Sequence, residues 1–236
     1  MTADPDGQLD PRPLDPMPLD AETAAIETGP VVAEGFFVVR MRTQRGQIEL
    51  RHYESPGSER AVAWVGGAGG GWDSPAHGLY PILCRRLRGR SIHSLRVRFR
   101  QPGVLEEAVY DLRSAEDYLL NHGVAQMILV GHSFGGAVIV QAAAKSPWVI
   151  GSALIATQGS GAEQVSILGP RCSVFLLHGT DDPVLPAQIS RDLYEKARDP
   201  KRIVLFPGAG HTLGEVATEA QDLVEDWVLE VFGIPK

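Results

Sequence analysis

The chain has 236 residues and 44% hydrophobic content, enough for the core of one large α/β domain. No apolar run approaches the roughly 18 residues of a membrane helix, and no basic segment leads into an apolar stretch as in a secretory signal, so neither membrane insertion nor secretion is expected. The net charge of −7 is concentrated in residues 1–30, which hold seven acidic residues against Arg12 alone, and the near-neutral remainder offers no footing for nucleic acid.

Residues 1–30 are rich in Pro, Asp and Ala without hydrophobic period, and read as a disordered acidic leader. The alternative is a docking arm for a partner or a neighbouring subunit, which leaves a homo-oligomer open. The single domain is then 31–236. It opens with a hairpin of two β-rich runs, 36–41 and 47–53, turning at Arg45-Gly46. A short apolar run, 61–65, reads as a buried strand. Ser74-Pro75 starts a helix that runs to about Leu87. A strand over 92–99 is followed by an amphipathic helix carrying Leu105, Ala108, Val109, Leu112, Ala115 and Leu119 on one face and stopping at Gly123. The alternation continues with strands at 126–130, 149–156, 174–177 and 202–206, and helices at 134–145 and 186–198. A last helix carries Val216, Ala220, Leu223, Val224, Trp227 and Val231. Eight strands alternating with helices predict a mostly parallel sheet with helices on both faces and an antiparallel hairpin at its edge. The segment 157–172 has room for a loop or one short helix, hence little or no cap.

Two cysteines, Cys84 and Cys172, fall in different predicted elements with no metal-ligand spacing. They are expected to be free thiols in a reducing compartment, which points to the cytoplasm.

The strongest local signal is Gly131-His132-Ser133-Phe134-Gly135, between an apolar strand and an Ala/Val-rich helix. In that setting G-x-S-x-G makes a nucleophile elbow: glycines permit the close approach of backbone, and the turn lifts the serine hydroxyl over the sheet edge. Serine needs a base, and the base an orienting acid. Asp181 and Asp182 lie on the loop after the 174–177 strand, and His211 lies on the loop after the 202–206 strand. The chain order is therefore Ser, Asp, His.

From about Phe36 onward the chain resembles the α/β-hydrolase superfamily, particularly its small lidless members such as dienelactone hydrolases, carboxylesterases and acyl-thioesterases. The resemblance implies an α/β-hydrolase fold and makes Asp182, third after His178-Gly179, the acid, with Asp181 facing solvent or capping the loop. It places the oxyanion donors on the backbone N–H groups of Phe134 and Ala68, with Gly67 as second choice. Those hydrolases carry His-Gly-x-Gly in this loop, whereas this chain has Gly66-Gly67-Ala68-Gly69. A phosphate-binding reading of these glycines lacks the Lys-Ser/Thr that ends such loops. His132 and His178 occupy positions where histidine supports the loop.

Trp72 and His77, beside the oxyanion loop, are candidate substrate contacts. So are Arg98 and Arg100, in a basic run from Arg85 to Arg100, should the substrate be anionic. The expected function is cleavage of a small ester or thioester through an acyl-enzyme on Ser133, with no metal or organic cofactor and a small molecule as partner. A perhydrolase, an acyltransferase or a C–C bond hydrolase would use the same triad, and a ligand-binding protein can stand on the same scaffold.

Overall fold

The computed structural model describes residues 23–236. The described residues form a nine-stranded sheet, β1 (Thr23–Thr28), β2 (Phe37–Thr43), β3 (Gly46–Tyr53), β4 (Arg60–Val65), β5 (His93–Arg98), β6 (Gln126–His132), β7 (Val149–Ile155), β8 (Ser173–Gly179) and β9 (Lys201–Phe206), in the spatial order β1-β2-β3-β5-β4-β6-β7-β8-β9. Pairing is antiparallel from β1 through β3 to β5 and parallel from β5 to β9. The parallel strands are apolar on both faces: β4 reads Arg-Ala-Val-Ala-Trp-Val and is buried from Ala61 onward. That pattern requires a helical layer on each side.

Helices α2 (Leu105–Asn121), α3 (Phe134–Lys145) and α4 (Gln188–Lys196) cover one face, where Leu112, Tyr118, Val138 and Leu193 join Leu50, Leu95 and Leu129 in one core. Helices α1 (Pro75–Arg88) and α5 (Ala217–Val231) cover the other, where Leu79, Leu83, Val224 and Trp227 meet Trp64, Ile128 and Phe175. No described helix is long and apolar enough to cross a membrane. Cys84 and Cys172 are buried free thiols, and burial pushes them up to about 12 and about 11.

One expectation of the fold changes. Among the described residues the sheet has nine strands rather than eight, because Thr23–Thr28, inside the segment read as a leader, pairs antiparallel with β2. Its backbone hydrogen bonds are made by β2, and Ile26 packs against the core, so the acidic composition around it does not decide its conformation. The rest of the leader, 1–22, lies outside the described residues. Helix α1 begins at Pro75, as Ser74-Pro75 suggests, but its opening turn is irregular. Ala76, His77 and Gly78 are left-handed, with φ of 49°, 52° and 93°, and regular helix follows. Pro81 then lies in the first regular turn, where its missing N–H is harmless.

The chain leaves β4 toward β5 on one side and leaves β5 over to β6 on the other, so the order reverses at β4. The carboxyl ends of β4 and β6 thus form the switch point of the sheet, the place where open α/β sheets bind ligands.

Candidate active site

Ser133 joins β6 to α3 with φ 56° and ψ −118°, a region sparsely populated by residues with a side chain. The surroundings impose it. The Ser133 N–H donates to Ile155 O at 2.9 Å. A Cβ on residue 131 would stand 2.3 Å from Gly135 O, and one on residue 135 would stand 2.4 Å from Gly66 O, so both flanking glycines are required by close backbone approach. Thr157 fills the equivalent space at residue 136, its Oγ1 1.9 Å from where a Cβ would lie. The serine is left partly exposed at the N-terminus of a helix, where the dipole favours developing negative charge.

Asp182 lies on the loop after β8 with its carboxylate buried. Oδ1 accepts the N–H groups of Val184 at 2.8 Å and Leu185 at 2.9 Å. Oδ2 accepts His211 Nδ1–H at 2.7 Å and His178 Nε2–H at 3.0 Å. Burial alone would raise this carboxyl, but the Leu185 N–H, the His211 ring and the Val184 N–H outweigh it and hold it below the usual carboxylate range. Asp181 is exposed and accepts only the neighbouring Thr180 hydroxyl at 2.8 Å. Geometry thus separates two adjacent aspartates that composition leaves equivalent.

His178 is fully buried, and its tautomer follows from its partners. Nε2 faces two acceptors, Asp182 Oδ2 and Leu185 O at 2.9 Å, so it carries the hydrogen, and Nδ1 accepts the Ser190 hydroxyl at 2.7 Å. It braces the acid. His211, on the loop after β9, has its Nδ1–H on Asp182, which leaves Nε2 with a lone pair. Its backbone is clamped: His132 Nε2 donates to His211 O at 3.1 Å, the two rings stand 4.8 Å apart, and Ala76 N–H donates to Thr212 O at 2.6 Å. Burial, with the neighbouring His211, lowers His132 to about 4, so it stays neutral and serves as a brace. The left-handed turn at residues 76–78 is thereby explained, since it delivers that Ala76 N–H.

In the loop after β4, the Gly67 N–H donates to Asp73 Oδ2 at 3.1 Å. That engagement removes Gly67 as an oxyanion donor and leaves Ala68, which is exposed, as the candidate beside Phe134. Phe134 opens α3 and is buried edge-on against Phe99, ring centroids 5.8 Å apart.

The four candidate substrate contacts fare differently. Arg100 is a structural residue: Asp111 at 2.5 Å, Glu107 at 2.7 Å and Arg45 O consume its guanidinium, so it is not a free cation for a substrate. Arg98 is half exposed beside Glu49 at 3.6 Å and lines, with Arg100, a cavity of about 410 Å³ by the β2–β3 turn. The Trp72 ring lies under the Arg51 guanidinium at 4.2 Å, and its carbonyl accepts Arg96 Nη2–H at 2.5 Å, so it anchors the loop. His77 is exposed and packs near Gly214. Sequence reasoning missed Asp73, Arg96 and Tyr80, which hold the loop after β4. The signal available was Gly66, which leaves room for another side chain.

A crossed parallel sheet with a strained serine after β6, a buried acid after β8 and a histidine after β9 defines the α/β hydrolases. Solved structures agree on the fold. Est1E from Butyrivibrio proteoclasticus superposes with a TM-score of 0.69 at 13% identity over 83% of this chain and 99% of its own. A dienelactone hydrolase from Anabaena variabilis gives 0.69 at 19% identity over 83% and 97%. XC6422 from Xanthomonas campestris, described as a serine hydrolase without lid, gives 0.65 at 17% over 88% and 99%. No curated protein matches the chain. The model of the dienelactone hydrolase family matches residues 91–224. The chain belongs to the dienelactone hydrolase family.

Proposed function

We propose that the protein is a serine hydrolase that cleaves a small ester or thioester through an acyl-enzyme on Ser133. The observation that carries this reading is the Asp182–His211 hydrogen bond of 2.7 Å, which fixes the imidazole with Nε2 as the free base on the loop beside the Ser133 elbow. In the reaction His211 Nε2 takes the Ser133 proton as Oγ attacks the carbonyl carbon. The Phe134 and Ala68 N–H groups receive the oxyanion, and His211 returns the proton to the leaving group. Water, deprotonated by the same Nε2, then releases the acid. Asp182 stays ionised throughout and stabilises the imidazolium. Between β7 and β8 the chain makes only one 3-10 turn, Glu163–Ile167, which suits an uncovered site and a small acyl group.

Ser133→Ala is expected to abolish turnover of p-nitrophenyl acetate while the protein stays folded. Wild-type turnover in that variant contradicts the reading. Product analysis with hydrogen peroxide or an alcohol as acceptor separates hydrolysis from perhydrolysis and acyl transfer on the same triad.

A further inference from the structure

The turn after β4 has a gap that a distant side chain fills. A Cβ on residue 66 would lie 1.7 Å from Asp73 Oδ1 and 2.7 Å from Asp73 Cγ, so position 66 and the Asp73 carboxylate compete for one volume. The other oxygen, Oδ2, accepts the Gly67 N–H at 3.1 Å. Gly67 in turn presses on the nucleophile: a Cβ built there would stand 3.4 Å from Ser133 Cβ and 3.7 Å from His132 Nδ1.

The ends of the loop are held separately. Tyr80 donates its hydroxyl to Val65 O at 2.8 Å. Arg96 Nη2 reaches Trp72 O at 2.5 Å and Asp73 O at 3.3 Å, fixing the backbone from which the carboxylate reaches back. Inside the loop, Gly70 N–H closes a turn on Gly67 O at 3.2 Å. With both ends fixed, two contacts act on the turn itself: the Asp73 carboxylate holds the Gly66–Gly67 peptide through the Gly67 N–H, and the Gly70 N–H holds the carbonyl of the Gly67–Ala68 peptide that follows it. Residue 73 is exposed overall, and partial desolvation of its carboxyl against the loop raises it above its ordinary value despite the Gly67 N–H and Arg96.

We propose that Asp73 is the positioning residue of the oxyanion loop: its carboxylate occupies the volume that Gly66 leaves open and binds the Gly67 N–H, and so fixes the Gly66–Gly67 peptide from which the Gly67–Ala68 unit, closed by the Gly70 N–H, turns the Ala68 N–H toward the Ser133 site. The inference rests on the reading of Ser133 as the acyl-enzyme nucleophile. Asp73 touches no reacting atom in this scheme. It determines where the second oxyanion donor points, and loss of one such donor lowers kcat by roughly 10²–10³.

The test is a set of variants assayed with p-nitrophenyl acetate, each checked for folding by circular dichroism. Asp73→Ala is expected to lower kcat roughly 100-fold with KM changed by less than about twofold, since a donor that acts in the transition state is lost. Asp73→Leu fills the same volume without an acceptor and is expected to show the same loss in kcat. Asp73→Asn keeps an oxygen for the Gly67 N–H and is expected to recover to within about tenfold of wild type. Gly66→Ala displaces the carboxylate and is expected to resemble Asp73→Ala. Because the two changes remove one interaction, the double variant should be no slower than either alone, a strong non-additivity. Folded Asp73→Leu with wild-type kcat, or losses that multiply in the double variant, would overturn the proposal. Wild-type turnover and labelling of Ser133 by a fluorophosphonate report on the reading of the site, whereas the ratio of variant to wild type reports on Asp73.

Discussion

At the scale of single residues, the site is built from backbone contacts that tolerate no side chain and a carboxylate with four donors. Gly135→Ala would put a methyl group 2.4 Å from Gly66 O and 2.9 Å from Val65 O, both main-chain atoms that cannot step aside. A loss of about 1–3 kcal/mol is expected in thermal or urea unfolding, together with loss of esterase activity. An unchanged melting temperature would show that the elbow is looser than these distances say. Asp182→Asn removes the charge that stabilises protonated His211 and the acceptor that fixes its tautomer, so kcat should fall roughly 10⁴-fold. Asp181→Asn, at an exposed residue one position away, should leave kcat within a factor of about two. Equal effects of the two substitutions would contradict the assignment of the acid. The places of Ser133, Asp182 and His211, each on a loop after a strand, were legible in the sequence because the strands are apolar runs in the order the fold uses. Asp73 was not, since its role is a fit between a missing side chain at residue 66 and a carboxylate seven residues on. Gly67 as a donor failed for the same reason: its N–H is committed to a partner that no local pattern reveals.

Elements were legible where burial on two faces dictates composition, as in β4 and β6, whose residues are buried almost throughout. They were obscure where pairing alone decides. β1 reads Thr-Ala-Ala-Ile-Glu-Thr, without a strong β signature, and is held by its ladder to β2 and by the Glu27–Arg42 contact of 2.5 Å. The start of α1 at Pro75 was legible in Ser74-Pro75, but its irregular first turn was not, since the Ala76 N–H is taken by Thr212 O, 136 residues away. Deleting residues 1–30 would remove β1 and bare the edge of β2, which predicts a lower melting temperature and greater self-association. The value of kcat should hold, since the deleted strand is at the far edge of the sheet from β6 and β8. Unchanged melting and association would mean that β1 adds nothing to the fold.

Over the whole molecule, the reversal of strand order at β4 gathers loops from β4, β6, β8 and β9 at one edge, and neutral buried histidines tie the layers together. His52 on β3 accepts the Tyr118 hydroxyl from α2 at 2.9 Å, and its Nε2 donates to His93 Nδ1 on β5 at 3.0 Å, the direction being set by the Ser55 N–H on that same Nδ1. Burial lowers His52 to about 3, as it lowers His132 to about 4. In the unfolded chain both would bind protons near pH 6.5. The stability they contribute is therefore complete above about pH 6.5 and is lost as pH falls toward 4, each group by up to about 1.4 kcal/mol per pH unit. Urea unfolding followed from pH 7.5 to 4.5 should show this decline, and a flat profile would contradict neutral burial. The central claim, that Ser133 is an activated nucleophile, is tested most directly by reacting the intact protein with a fluorophosphonate and locating the adduct by mass spectrometry. The account predicts one adduct, on Ser133, absent from Ser133→Ala and strongly slowed in Asp182→Asn. Folded protein that takes up no label, or takes it up elsewhere, contradicts it.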